Sequence, residues 1–216
     1  MKKIIIFGAG GFGREVKMLI DQINANSLQW EFLGYVDEGK KAGDKINNYP
    51  ILGGVDYINK LQQDTYLVFA IGDPATKAKL ESYIKNPKIS YGILIHPNVY
   101  IGKDDVHIGE GSIICAGNVI TVNINVGRHV ILNLCCTIGH DTAIQDYCSL
   151  MPGVNISGEV LVERLVYIGT GAKIINQLTI GMNSTIGAGA VVSKSLPSNC
   201  VAVGIPAKPI KYKTNE

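Results

Sequence analysis

The chain has 216 residues, enough for one large domain or two small ones, and either can bury a core. Hydrophobic residues make up 46% and charged residues 18%, and the formal net charge of +2 gives no electrostatic case for nucleic acid or an anionic membrane. No apolar stretch is long enough to span a bilayer, and Met1-Lys2-Lys3 leads straight into a short strand-like run rather than a secretory signal, so a cytoplasmic location is expected.

The first ninety-odd residues alternate strand and helix patterns. Lys3–Phe7 is an apolar run ending in Gly8-Ala9-Gly10-Gly11-Phe12-Gly13, and Arg14–Ile20 follows with helical spacing. A strand over Glu31–Val36 ends at Asp37. A helix-like stretch follows from Val55 to Gln62, then an apolar strand Tyr66–Ile71 ending at Gly72-Asp73-Pro74. A polar helix over Ala75–Lys85 and a last strand Ile89–Ile95 complete the series. Such alternation predicts a small parallel sheet whose post-strand loops gather on one edge. Gly8-x-Gly10-x-x-Gly13 between a strand and a helix meets the context of a nucleotide-phosphate loop, and Asp37 can accept from a ribose or sugar hydroxyl. The same residues would serve an NAD enzyme, but the sheet is about half the size of a full dinucleotide fold.

His96-Pro97 marks the change to a different pattern. From Ile108 to Val192 every sixth residue is aliphatic without a miss. Strands repeat every two residues and helices every 3.6, so a strict six requires a chain that turns a corner every six residues. This is the hexapeptide β-helix pattern, in which stacked coils cover one another's apolar faces. Ile95 and Ile101 are six apart but Ile101 and Ile108 are seven, which predicts a one-residue slip near Gly102–His107. Beyond Val192 the segments Leu196–Cys200 and Val203–Lys208, with Pro197 and Pro206, leave the register and are expected to cap the open end. The predicted fold is thus α/β + β, with a Rossmann-like domain over residues 1–94 and a β-helix over 95–216.

Five cysteines include no CxxC pair and no histidine spaced for zinc, so no metal is expected. Cys136 and Cys148 fall two residues before an aliphatic anchor, in a register otherwise filled by small or aliphatic residues, and read as inward packing. His96, His107 and His129 read as solvated corner or turn residues. His140 differs: it stands two residues past an anchor, at a corner, with Asp141 adjacent and Asn133 one hexad back. A neutral imidazole with a carboxylate partner suits a general base near pH 7.

The chain resembles the NeuD/PglD-type sugar acyltransferases. The matching pieces are GAGGFGRE (residues 8–15), LGYVDE (33–38), AIGD (70–73), ILNLCCTIGHD (131–141), MPGVNISG (151–158), IGTGA (168–172), IGAGAVV (186–192) and VGIPAK (203–208). The resemblance covers nearly the whole chain. It implies a left-handed β-helix, a homotrimer with active sites between subunits, and acetyl-CoA as co-substrate. It also implies transfer to a nucleotide-linked amino sugar in bacterial surface glycan or glycoprotein biosynthesis. The catalytic pair it implies is His140 and Asp141, and Asn133, one hexad back, is expected to join them. The resemblance brings the coenzyme to Ser149, Gly158, Thr170, Ala188 and Lys208, and the nucleotide-sugar to Gly10, Gly11, Phe12, Asp37, Glu38 and Gly72. Gly158 follows His140 by eighteen residues, one coil of three hexads, and its N–H is expected on the same edge. Two positions depart from the family pattern: Phe12 and Ser149 stand where histidines are usual, so a hydrogen bond to the sugar is expected to be lost at Phe12 and the coenzyme contact weakened but not abolished at Ser149. No loop interrupts the repeat, so the water-excluding wall is expected from a neighbouring subunit. O-acetylation of a sialic-acid-type sugar and a non-catalytic β-helix binding protein remain as alternatives.

Overall fold

The computed structural model describes residues 1–214; residues 215–216, the end of the second expected domain, lie outside the described residues. Six strands form the N-terminal sheet: β1 (Lys2–Phe7), β2 (Trp30–Val36), β3 (Lys45–Ile46), β4 (Tyr49–Gly53), β5 (Thr65–Phe69) and β6 (Ile89–Tyr91), in the order β3-β4-β2-β1-β5-β6. All neighbours are parallel except the β3–β4 pair. Helices α1 (Gly11–Asn26), α2 (Val55–Lys60) and α3 (Pro74–Ser82) cover it. Isoleucines alternate along β1 because both faces are buried, Ile4 and Ile6 towards α1 and Ile5 towards the α2/α3 side. At Gly13 a Cβ would lie 2.0 Å from the Gly8 carbonyl oxygen, so only glycine lets α1 start this close to β1.

The structure departs from the expected elements in two places. The β3–β4 hairpin was not foreseen. Its turn residues Asn47 and Asn48 both have positive φ (47° and 70°), as a two-residue type I′ turn needs. Residues Ile89–Ile95 are not one strand. The chain breaks at Gly92, so β6 closes the first sheet and Leu94–Ile95 opens the second structure.

From Leu94 onward the chain winds into a parallel three-sided solenoid, with sheets of eight, six and five strands forming its faces. The first face runs through Leu94–Ile95, Ile113–Ile114, Ile131–Leu132, Ser149–Leu150 and Tyr167–Ile168, the second through Thr137–Ile138 and its stack, the third through Ala143–Ile144 and its stack. Ile101 pairs with Ile120 but Ile108 with Val126, so the extra residue lies between Ile101 and Val106, where the slip was expected. Of the fifteen hexad anchors all but Ile108, on the outermost strand of the third face, are buried. Truncating such an anchor to alanine costs about 2–5 kcal/mol.

A second buried ladder lies two residues before each anchor. Four of its polar members donate to backbone carbonyls fifteen residues onward: Ser112 to Gly127 at 2.9 Å, Thr142 to Ser157 at 3.2 Å, Cys136 to Met151 at 3.3 Å and Cys148 to Glu163 at 3.0 Å. Buried hydroxyls and thiols are thereby satisfied inside the prism. Burial pushes the Cys136 and Cys148 thiols up to about 11 and about 12, which fits packing and not nucleophilic work.

The N-terminal part sits on the first face. Leu94, Ile113 and Cys115 share a core with Leu19 and Ile23 of α1 and with Trp30. Beyond Val192, Cys200–Val203 adds to the first face and Lys208–Tyr212 returns antiparallel to it, making the expected cap a hairpin.

Candidate functional site

His140 stands at the edge between the second and third faces, more than half exposed. Its Nδ1 lies 2.7 Å from Asp141 Oδ2, and Asp141 Oδ1 accepts from Asn123 Nδ2 at 2.8 Å. Asp141 adopts φ of 56°, the left-handed corner conformation that recurs at Asn123 and Glu159 one coil away on either side. That backbone turns the carboxylate back along the edge to its neighbour. Hydrogen bonds from Asn123, then from His140, hold the Asp141 carboxyl below the usual range, so it stays an acceptor. With Asp141 accepting from Nδ1–H, Nε2 carries the free lone pair. Asn123 was missed in the sequence, although its spacing of eighteen before Asp141 was there to be read.

Gly158 lies directly above His140. A Cβ there would come within 2.5 Å of His140 Cε1 and Nε2, and Glu159 N–H bonds the His140 carbonyl at 2.8 Å. The glycine therefore leaves room for the imidazole to lie over the next coil. The expected eighteen-residue return to the same edge is observed.

The remaining expected residues fall elsewhere. Asn133 is buried at a different edge, between the first and second faces, and its Oδ1 accepts from Leu134 N–H at 2.7 Å. Thr170 and Ala188 stand exposed on that same edge, one coil apart. Within one chain these three are not brought to His140. Lys208 is exposed at the start of the terminal strand. Ser149 requires a correction: it is completely buried on the first face and its hydroxyl accepts from Lys77 Nζ of α3 at 3.1 Å. Direct contact with a coenzyme is closed to it in this protomer because α3 covers it.

At the C-terminal edge of the first sheet, Gly10, Gly11 and Gly72 face open space, with nothing closer than 4.0 Å to a Cβ built there. Gly10 precedes α1, and Phe12 is half-buried in its first turn. Asp37 spends both oxygens on backbone, Oδ2 on Ala9 N–H and Oδ1 on Gly39 N–H, each at 2.9 Å. Glu38 Oε1 accepts from Val55 N–H at 2.6 Å and so caps α2. Both carboxylates brace loops, a role the sequence did not suggest. A cavity of about 350 Å³ opens beside Gly8, Asp37, Glu38 and Thr76, where open parallel sheets take ligands.

His129 is not the solvated corner residue it resembled. It is 1% exposed, wedged between Tyr91 and Tyr147 with ring centroids at 4.5 and 5.4 Å. Its Nε2 is 3.4 Å from Glu81 Oε1 without hydrogen-bond geometry, so among the described residues neither ring nitrogen has a hydrogen-bond partner, and burial lowers its pKa to about 4. Glu81 of α3 also accepts from Tyr147 and Arg128, at 2.5 and 3.0 Å. Together with Lys77–Ser149, this cluster fixes α3 to the solenoid. Among the described residues there is no group of three metal-ligating side chains, and no helix is long and apolar enough to cross a membrane.

Residues 3–84 match the family described as the PglD N-terminal domain. The GDP-perosamine N-acetyltransferase of Escherichia coli O157:H7 is 33% identical over 213 residues, 95% of each chain. The chain belongs to the NeuD/PglD-type sugar acyltransferases. Two solved members share its fold. A variant of perosamine N-acetyltransferase from Caulobacter crescentus, in complex with CoA and GDP-perosamine, is 28% identical with a TM-score of 0.87 over 98% of both chains. WeeI from Acinetobacter baumannii AYE is 33% identical with a TM-score of 0.88, over 97% of this chain and 100% of that one. The solenoid is thus the left-handed β-helix of these acyltransferases, and the chain is an acyltransferase.

Proposed function

We propose that the protein transfers an acetyl group from acetyl-CoA to the amine of a nucleotide-linked sugar, with His140 as general base. The observation that carries this reading is the His140–Asp141 pair, 2.7 Å apart on an exposed edge with Nε2 free and Gly158 above it. A sugar amine is protonated at neutral pH and must lose a proton before it can attack a thioester. In the proposed reaction the ammonium first releases one proton to solvent, Nε2 takes a second as the nitrogen bonds the thioester carbonyl carbon, and the imidazolium passes that proton to the departing thiolate, leaving a neutral amide. Asp141 orients the ring and steadies its cationic form, as a buttressing carboxylate does. The Gly158 N–H is the donor assigned to the developing oxyanion.

The placement of the other residues supports an assembly. His140 stands on the edge opposite the face that carries the N-terminal part, whereas Asn133, Thr170 and Ala188 stand on an edge beside that face. One copy therefore supplies His140, Asp141 and Gly158 to a site. A neighbour supplies Asn133, the sugar nucleotide on Gly10, Gly11, Phe12 and Gly72, and the pantetheine wall at Thr170 and Ala188. A closed ring of three copies satisfies this head-to-tail arrangement. Lys208 serves the coenzyme phosphates. In this scheme residues 1–94 bind the nucleotide and 95–216 form the transferase.

The relatives' substrate makes a GDP-linked amino sugar the first to test. Free CoA release is measured with GDP-, UDP- and dTDP-linked amino sugars and with sialic acid. Turnover with an amino-sugar nucleotide is expected; turnover with the hydroxyl acceptor alone would refute N-acetylation and favour the O-acetyl reading.

A further inference from the structure

A second cleft, of about 390 Å³, lies between residues 72–75 at the start of α3 and the outer side of the solenoid's first face, and Lys213 of the C-terminal segment closes it. Its size is that of a small-molecule site. It opens at the C-terminal end of β5 next to Gly72, on the edge where the nucleotide is proposed to bind. The chemistry proposed above gives it no role.

Its walls are mixed, Asn183 and Thr185 standing among apolar side chains, and two charged side chains, Asp73 and Lys213, line it. Met151, Leu165 and the Tyr167 ring form the wall on the solenoid side. Asp73 gives Oδ1 to Thr76 N–H at 2.7 Å as the cap of α3, and among the described residues its Oδ2 accepts no hydrogen bond. Lys213 Nζ donates to Asn183 Oδ1 at 3.2 Å, and among the described residues its two other N–H groups have no acceptor. Burial lowers the Lys213 pKa while Asp73 opposes that shift, so the two charges face the same space.

A cleft that sets a carboxylate and an ammonium beside apolar side chains suits a base that offers both paired donors and paired acceptors. Guanine alone among the common bases offers adjacent N1–H and N2–H donors on one edge and O6 and N7 acceptors on another. Uracil and thymine carry one N–H, and adenine and cytosine present a ring-nitrogen lone pair beside their amino group. Asp37 and Glu38, the other carboxylates near this edge, are already bonded to backbone.

We infer that this cleft reads the base of the sugar nucleotide as guanine, Asp73 accepting from its N1–H and N2–H and Lys213 donating to its O6 and N7. The inference rests on the proposed function, since it assumes a nucleotide-linked substrate. Calorimetry with GDP, UDP and ADP on the full-length protein tests it. GDP should bind about tenfold or more tighter than either rival, because a site built to pair with N–H groups rejects bases that lack them. Asp73→Asn keeps a helix cap but loses the double acceptor. It should weaken GDP about thirtyfold or more and leave UDP within about threefold. Lys213→Met should weaken GDP about three- to tenfold at unchanged melting temperature. Equal binding of GDP and UDP, or an Asp73→Asn loss shared by all three nucleotides, would overturn the base assignment. Preferred turnover of a UDP-linked amino sugar would sink the base assignment and leave the transferase reading standing. Failure of every nucleotide to bind and of every amino-sugar nucleotide to react would sink both.

Discussion

Replacing Lys77 by methionine should make the protein more stable in acid and less stable in base. Lys77 is fully buried between α3 and the solenoid, and among the described residues its side chain bonds the Ser149 hydroxyl alone, at 3.1 Å, a partner without charge. Burial lowers its pKa from 10.5 to about 7. Below pH 7 the ammonium is charged in both folded and unfolded chains, and burying it costs folding roughly 5 kcal/mol at 1.36 kcal/mol per pH unit between those values. Between pH 7 and 10.5 the unfolded chain holds the proton and the folded one has released it, so wild-type stability climbs with pH and the cost is gone above that window. Methionine matches the length without the charge, but leaves the Ser149 hydroxyl unpaired at a cost of about 1–2 kcal/mol. The net expectation is that Lys77→Met gains about 3 kcal/mol at pH 6 and loses about 1 kcal/mol near pH 10. Urea denaturation followed by circular dichroism at pH 6, 7.5, 9 and 10 measures both ends. A variant less stable than wild type at pH 6, or a difference that does not move with pH, would refute the reasoning.

Other expectations concern the His140 edge and the core. His140→Ala should lower kcat about 10²–10⁴-fold while acetyl-CoA affinity by calorimetry stays within about threefold; full retained activity would remove the histidine from the reaction. Asp141→Asn keeps the corner but loses the charge that orients the ring, and a smaller fall in kcat, about 10–100-fold, is expected in the same assay. Gly158→Ala brings a methyl within 2.5 Å of the imidazole. It should cut kcat about tenfold or more, with little change in far-ultraviolet dichroism, as the ring leaves its place over the coil. Alkylation by iodoacetamide, read by mass spectrometry, should spare Cys136 and Cys148 in the native protein and reach them in urea; native labelling of either would show an open core.

The solenoid was legible because its repeat is enforced at every coil. An anchor at each sixth position has no alternative place, so Ile114 through Val192 are buried as the spacing requires, and the one-residue slip before Val106 followed from counting. The same counting brought Gly158 over His140. It could not say which of three faces another part of the chain would cover. His129 and Ser149 sit in solenoid positions like those of exposed neighbours, yet α3 buries both, because the contact depends on Glu81 and Lys77 from a helix whose sequence does not announce which face it covers. Asn133 reads as a neighbour of His140 along the chain, but seven residues carry it to another edge of the prism. The β3–β4 hairpin is a different kind of omission. Asn47-Asn48 is a recognisable turn signal, and the flanking strands are too short to show a period.

In the proposed ring, His140 and the nucleotide-binding edge of one chain serve different sites, so the two halves of a site can be damaged independently. Ring assemblies built from equal parts of a His140→Ala chain and a chain unable to hold the sugar nucleotide would each place intact halves side by side at some junctions. For random mixing about one junction in four pairs a sound histidine with a sound nucleotide domain. Two chains without activity of their own would then restore one another, and a gene carrying a lesion in one half would leave the other half serviceable to its neighbours.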